Sequence, residues 1–228
     1  MNQEENFESI KKVLDEEMPS YELLHDKITS RLNRDPVFKT HVHSYKSRFK
    51  DIEHLREKIN RKNEADAQKP IGEQKGAITS ENVCRRITDI CGIRILHLYQ
   101  KQFSEIHQRL MELVDEGELA LYEEPKAYTW DPEFAAYFKS LNLEAELKES
   151  FYTSVHYVFK ARADSDITCE LQVRTLFEEV WGEIDHTFNY PVQSDSIVIQ
   201  EQLKVLARLV GAGARLSDSI FRLKEHQV

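Results

Sequence analysis

The sequence predicts an α+β fold, one domain of mixed strands and helices with helical flanks. Three observations predict it. Residues 3–62 carry helical spacing, residues 92–174 mix strand-like and helical segments, and the last 30 residues return to a helical 4-3-4 apolar pattern.

Taken in order, residues 3–18 and 20–34 read as helices, with Pro19 and the Asp35-Pro36 step as breaks. A longer helix is predicted over 37–62, with Tyr45, Phe49, Ile52 and Ile59 turned to a core. Residues 63–78 hold Pro70, Gly72 and Gly76 and read as a loop. "TSENVCRRITDI" reads as a short helix capped by Thr79 or Ser80. "GIRILHLY" (92–99) is the first predicted strand, 103–116 an amphipathic helix and "ELALYEE" (118–124) a second strand. A short helix is expected near 132–140. "YTSVHYVFKA" and "ITCELQVR" flank the polar turn "RADSD" and read as a hairpin. The helix at 176–190 aligns Phe177, Val180, Trp181, Ile184 and Phe188 on one stripe. In the final helix Ile199, Leu203, Leu206 and Val210 do the same. The division expected is a helical extension over 1–40, a central domain over 41–191 and a C-terminal helical segment over 192–228.

The 228 residues are enough for a sizeable core. With 31 Lys+Arg against 40 Asp+Glu the net charge is −9, which argues against life on bulk nucleic acid but leaves room for a local basic pocket. The three cysteines lack metal-like spacing and read as reduced thiols of a cytoplasmic protein. The charged N-terminus lacks the apolar stretch of a signal peptide, and no apolar run nears the ~18 residues of a membrane span.

The chemistry concentrates on the hairpin. Side chains alternate across a strand, so Tyr152, Ser154 and His156 share one face, and Glu170, Gln172 and Arg174 share one face of the next strand. A turn centred near Asp164 sets His156 opposite Gln172 and puts both polar sets on the same side. Val155, Tyr157, Phe159, Leu171 and Val173 then form the buried side. A solvated sheet face gives the same alternation. The inventory of Tyr, Ser, His, Glu, Gln and Arg favours a face that grips a substrate.

Between Lys46 and Lys62 there are seven Lys/Arg against three acids. On a helix Lys50, His54 and Lys58 would line one stripe, suited to a polyphosphate, although a solvated helix face is the plain alternative. Asp89 falls just before a strand, with Gly92 allowing close backbone approach. A carboxylate there, a second in Glu170 and a cationic stripe nearby suit Mg²⁺-assisted phosphoryl chemistry.

Together these segments resemble the synthetase domain of the RelA/SpoT family, which makes the alarmone (p)ppGpp. "RFKDIEHLREKI" is similar to the family's R-x-K-x-x-x-S-I-x-x-K, "DICGIRI" to D-I-A-G-I-R, and "YTSVH" to Y-x-S-L-H. "CELQVRTLFEEVWGEIDH" resembles E-x-Q-I-R-T followed by W-A-x-x-E-H. The motifs stand in family order over roughly residues 40–190.

The resemblance implies a nucleotidyltransferase-like mixed sheet packed by helices. It implies transfer of the β,γ-pyrophosphate of ATP to the ribose 3′-hydroxyl of GDP or GTP, with AMP released. Arg48, Lys50, Lys58 and Arg94 would bind ATP. Asp89 and Glu170 would be catalytic and hold Mg²⁺, and Glu170 would help deprotonate the 3′-hydroxyl. Tyr152, stacking on the base, would bind the acceptor together with Ser154, His156, Gln172 and Arg174. Trp181 reads as core packing. Small members often assemble through terminal helices, so a homo-oligomer through the C-terminal helices is expected.

The chain departs from the family pattern at several positions. His54 replaces a Ser, Cys91 an Ala and Asp185 a Glu, Phe151 replaces the Gly before Tyr152, and Pro191 falls where a Lys often stands. Residues 125–151 hold three lysines and five acids, where the family usually supplies more positive charge for the acceptor. A toxin-type relative that pyrophosphorylates the 3′ end of tRNA, and a non-catalytic nucleotide-binding module, are the alternatives. The His25-Asp26 pair resembles half of a hydrolase motif but reads as a pair on a surface helix.

Overall fold

The computed structural model describes residues 2–190 and 192–225, and Pro191 lies outside them. Helix α1 (Gln3–Arg34) is closed at its start by a capping box between Asn2 and Glu5. It runs unbroken through Pro19, where the sequence predicts a break. Pro19 lies on the exposed face, where water can satisfy the carbonyl that loses its amide partner. The apolar stripe from Phe7 to Leu32 is buried on both sides of it. Asp35 caps the short helix α2 (Pro36–His41), accepting from the Val37 amide.

The predicted helix over 37–62 is instead a helix end, a strand and a new helix. Strand β1 (Ser44–Phe49) pairs antiparallel with β2 (Cys91–His97), and α3 (Ile52–Ala67) starts at Asp51, whose side chain accepts from the Glu53 and His54 amides. β1 is an edge strand, so its outer residues stay polar and its period of two is hidden. Phe49 is 37% exposed and is not core, whereas Leu55 and Ile59 of α3 are buried. α3 also runs on into the predicted 63–78 loop, which further contains a short 3₁₀ turn at Ile71–Glu73.

Helix α4 (Val83–Arg86) is shorter than its prediction. The Asn82 side chain accepts from the Thr79 amide, so neither Thr79 nor Ser80 caps the helix. After β2 come α5 (Gln100–Asp115), β3 (Ala120–Thr129), α6 (Pro132–Ser140) and β4 (Glu144–Leu147). β3 outruns its prediction because it crosses Pro125 through register shifts that spare a ladder amide. The four-residue β4 carries too little pattern to be foreseen. β5 (Ser154–Lys160) and β6 (Thr168–Thr175) form the predicted hairpin, with His156 opposite Gln172. A Thr175–Glu178 capping box opens α7 (Leu176–Asn189), and α8 (Ile197–Glu225) follows.

The six strands form one mixed sheet in the order β1-β2-β6-β5-β3-β4. Only β2/β6 and β3/β4 are parallel pairs. One face of the central strands (Ile93, Ile95, Leu171, Val173, Val155, Tyr157) joins the buried residues of α1 and α5 in a single core. The cysteines are free, and Cys91 and Cys169 face each other in that core with sulfurs 3.3 Å apart. Among the described residues no helix is long and apolar enough to cross a membrane.

The α7 stripe is a correction. Only Trp181 is buried, its indole N–H donating to the Leu203 carbonyl 3.0 Å away, whereas Phe177, Val180, Ile184 and Phe188 are exposed. Of the four aligned residues of α8 only Leu203 is fully buried.

Candidate active site

Residues paired across neighbouring strands project to the same side of a sheet. Register therefore builds the site. Lys46 pairs with Arg94 and Arg48 with Gly92, Gly92 pairs with Glu170 and Arg94 with Gln172, and Gln172 pairs with His156. All these side chains stand on the face opposite the core. α7 packs against β6 and β2, and its residues Glu183, Asp185 and His186 join the lining. The result is a cavity of about 710 Å³ that also takes in Asp89 and Tyr152. A Cβ at Gly92 would lie 3.8 Å from the Arg48 carbonyl oxygen, an ordinary contact. The close backbone approach expected there does not demand glycine, and its absent side chain leaves open cavity floor.

Two carboxylates stand on that floor. Asp89 Oδ2 takes the ammonium groups of Lys58 at 2.7 Å and Lys50 at 3.0 Å. Burial pushes this carboxyl up, but Lys58 and Lys50 outweigh it and hold the pKa below the usual value. Asp89 Oδ1 is buried and has no partner. Glu170 accepts from Gln172 Nε2 at 2.7 Å and lies 3.5 Å from His156 Nδ1. The other ring nitrogen of His156 is 2.7 Å from the Tyr152 hydroxyl, so the ring bridges Glu170 and Tyr152. Burial and the Asp89 charge raise the Glu170 carboxyl, and His156 together with the Gln172 hydrogen bond outweighs them. Both carboxylates are thus held ionised.

A divalent cation fits this pair. Among the described residues no cluster of three or more His, Cys, Asp or Glu could hold a metal alone. Mg²⁺ takes one or two carboxylates plus substrate phosphates, and the orphaned Asp89 Oδ1 is a ligand of that kind.

A third cluster lies beside them. Glu179 on α7 receives Arg174 at 2.5 Å, Arg94 at 3.0 Å and Lys46 at 3.0 Å. Arg94 also meets Glu183 at 2.8 Å. The Arg174 guanidinium lies 5.8 Å from the centre of the Tyr152 ring. A Cβ on Gly182 would stand 2.8 Å from Arg174 Nη1, so glycine here leaves that side chain its place.

The profile described as "Region found in RelA / SpoT proteins" matches residues 47–195. The chain belongs to the RelA/SpoT family. Its fold is similar to a GTP pyrophosphokinase family protein from Streptococcus pneumoniae (22% identity, TM-score 0.64, 99% of this chain and 95% of that one). It is also similar to the small alarmone synthetase 1 of Bacillus subtilis bound to its product pppGpp (20% identity, TM-score 0.59, 95% and 96%). The same B. subtilis protein bound to AMPCPP aligns at 16% identity and TM-score 0.51, again over 95% and 96%. No curated protein matched the sequence. Membership of the RelA/SpoT family places the chain among pyrophosphotransferases.

Within the RelA/SpoT cavity, Arg48, Asp89, Arg94, Tyr152, Glu170, Gln172 and Arg174 all contribute to the lining. Ser154 does not. It is 1% exposed, and its hydroxyl donates to the Val173 carbonyl. His156 is not among the lining residues either, and touches Glu170 and Tyr152 from behind. Lys50 lies outside α3, before its cap, so the predicted helical stripe with His54 and Lys58 does not exist. The two lysines nevertheless converge on Asp89. His54 points to Tyr190, ring centroids 5.7 Å apart, and Tyr190 stacks on His186 at 4.5 Å. His25 Nδ1 lies 3.1 Å from its neighbour Asp26, and its ring packs 5.6 Å from Phe49.

Sequence reasoning missed Lys46, Glu179 and Glu183. Arg94 and Arg174, both expected to bind substrate, would have signalled that a counter-charge was needed, but Glu178-Glu179 reads as ordinary acid at a helix start.

Glu178 yields a prediction of its own. Burial pushes its carboxyl from 4.5 up to about 7, and Oε1 has no partner. The folded chain keeps a proton that the unfolded chain releases within that window. This contribution is intact below pH 4.5 and is lost as pH rises through about 7, by about 3 kcal/mol in all. Glu178→Gln keeps the capping box and should flatten this slope. Urea midpoints of both proteins at about pH 5 and pH 8 check it, and equal pH dependence in the two would reject the assignment.

Proposed function

We propose that the chain transfers the β,γ-pyrophosphate of ATP to the ribose 3′-hydroxyl of GDP or GTP, making (p)ppGpp and AMP in the cytoplasm with Mg²⁺ as cofactor. The observation that carries this reading is the pair of ionised carboxylates, Asp89 and Glu170, on a floor ringed by Lys46, Arg48, Arg94 and Arg174. Bound Mg²⁺ supplies charge neutralisation on the polyphosphate. Asp89 Oδ1 and Glu170 would hold it. Arg48 and Arg94 bind the ATP phosphates, with Lys50 and Lys58 behind Asp89. Glu170 accepts the proton of the 3′-hydroxyl as that oxygen attacks. Tyr152, tethered through its hydroxyl to His156, stacks on the acceptor base. Transfer of this kind rests on positioning and electrostatic stabilisation rather than covalent catalysis.

The family fold and the nucleotides bound to the B. subtilis protein support this reading. Incubating the pure protein with γ-labelled ATP and GDP, GTP or tRNA tests it. Label should move to a guanine nucleotide. Label on tRNA would establish the toxin-type activity instead, and no transfer would leave a nucleotide-binding module.

A homo-oligomer through α7 and α8 belongs to the same reading. Phe177, Val180, Ile184 and Phe188 of α7 and Val205, Leu209 and Leu216 of α8 are exposed, which leaves an apolar surface for a second copy. The small residues of α8 serve the chain itself. Gly211 packs at Trp130, and a Cβ on Gly213 would stand 2.7 Å from Phe177. Light scattering should give more than one chain for the wild type and a monomer for the Val180→Lys, Leu209→Lys double variant. A wild type monomeric at micromolar concentration rejects this assembly.

A further inference from the structure

Glu179 gathers the cations of the cavity floor. Its side chain is 4% exposed, yet it meets three cations from three adjacent strands: Lys46 of β1, Arg94 of β2 and Arg174 of β6. Arg94 and Arg174 stand two pairing positions apart on the shared face, since Arg94 pairs with Gln172 and Leu96 with Arg174. Two guanidinium groups this close repel, and Arg174 is as buried as Glu179. Left without a common anion, they would splay, and the cavity floor would lose its shape.

We propose that Glu179 is a positioning residue that clamps Lys46, Arg94 and Arg174 into one rigid three-cation floor joining the ATP half of the cavity to the acceptor half. The proposal rests on the pyrophosphate-transfer reading and deepens it. Glu183 provides the contrast. Its side chain is 57% exposed, it touches Arg94 at 2.8 Å and Lys46 only at 4.0 Å, and it lines the cavity where Glu179 does not. Glu179 therefore stays when a nucleotide binds, whereas Glu183 is displaced.

The two carboxylates differ in the sign of their effect. Deleting any negative charge beside cations should favour an anionic ligand. Deleting a clamp should weaken binding, because misplaced donors lose their geometry, an effect on the order of 10²-fold in rate for a shift of about 1 Å. Calorimetry of AMPCPP with the full chain separates the two. Glu183→Gln should bind more tightly than wild type, and Glu179→Gln about tenfold more weakly, with kcat reduced on the order of 10²-fold. Glu179→Asp keeps the charge but retracts it by one methylene. It should fall between wild type and Glu179→Gln in both readouts, and melting curves report whether each variant is folded. Glu179→Gln that binds AMPCPP as tightly as wild type, or more tightly, overturns the proposal. Should Glu179→Gln not fold, wild-type binding and kcat in a folded Glu179→Asp overturn it equally. A wild type that binds no AMPCPP overturns the transfer reading and this proposal with it.

Discussion

Glu170→Gln should abolish pyrophosphate transfer while the protein stays folded. The substitution keeps the shape of the side chain and removes only its charge. Gln172 Nε2 can still donate to the remaining carbonyl oxygen, so the local hydrogen bond survives. The pairing with His156 does not, and neither does the proton acceptor for the 3′-hydroxyl. Removing an electrostatic group of this type costs on the order of 10²–10³ in rate, and loss of the base adds to that. The stability cost should be small. Glu170 is ionised against the pull of burial, so its pairing stabilises the fold at neutral pH, but its side chain is 22% exposed and water replaces part of what is lost. Label transfer from γ-labelled ATP and a melting curve are the two measurements. Wild-type turnover in the variant would reject Glu170 as a catalytic group, and a collapsed melting transition would recast it as structural.

The parts of this site that were legible in the sequence share one property: their geometry is set locally. A short turn fixes the β5–β6 register, a period of two fixes the faces, and so Glu170, Gln172 and His156 could be placed together before any coordinates. Val155, Tyr157, Leu171 and Val173 went to the buried side for the same reason. The illegible parts depend on partners distant in sequence. β1 is a strand because β2 is there to pair with it, and as an edge it carries no apolar alternation of its own. The α7 stripe announces an apolar face without saying what covers it, and most of it is exposed. Glu179 reaches its three cations only because α7 folds back over β1, β2 and β6, across as many as 133 residues of chain. Lys50 and Lys58 are instructive in the other direction. The sequence sets them on one helical stripe facing a polyphosphate, whereas the fold brings them together from outside and inside α3 onto a shared counter-ion, Asp89.

Asp89→Asn should remove the Mg²⁺ dependence of nucleotide binding together with activity. Asp89 works in two directions at once. Oδ2 neutralises Lys58 and Lys50, and Oδ1 is buried without a protein partner on a residue that lines the cavity. An amide keeps the size of the group but offers one oxygen in place of two and no charge, so it cannot both answer the lysines and hold a divalent cation. The two lysines are then left as free positive charge near the polyphosphate. Without metal, AMPCPP should therefore bind the variant at least as well as it binds the wild type. Added Mg²⁺ should strengthen binding to the wild type and leave the variant unchanged. Transfer should fall by on the order of 10²-fold or more, since charge developing on the phosphates is no longer balanced. Excess Mg²⁺ should not restore it, because the missing element is the ligand and not the occupancy. Calorimetry of AMPCPP with and without Mg²⁺ on both proteins decides the matter. Equal strengthening by Mg²⁺ in wild type and Asp89→Asn would remove Asp89 from the metal site and leave it as the counter-ion of Lys50 and Lys58.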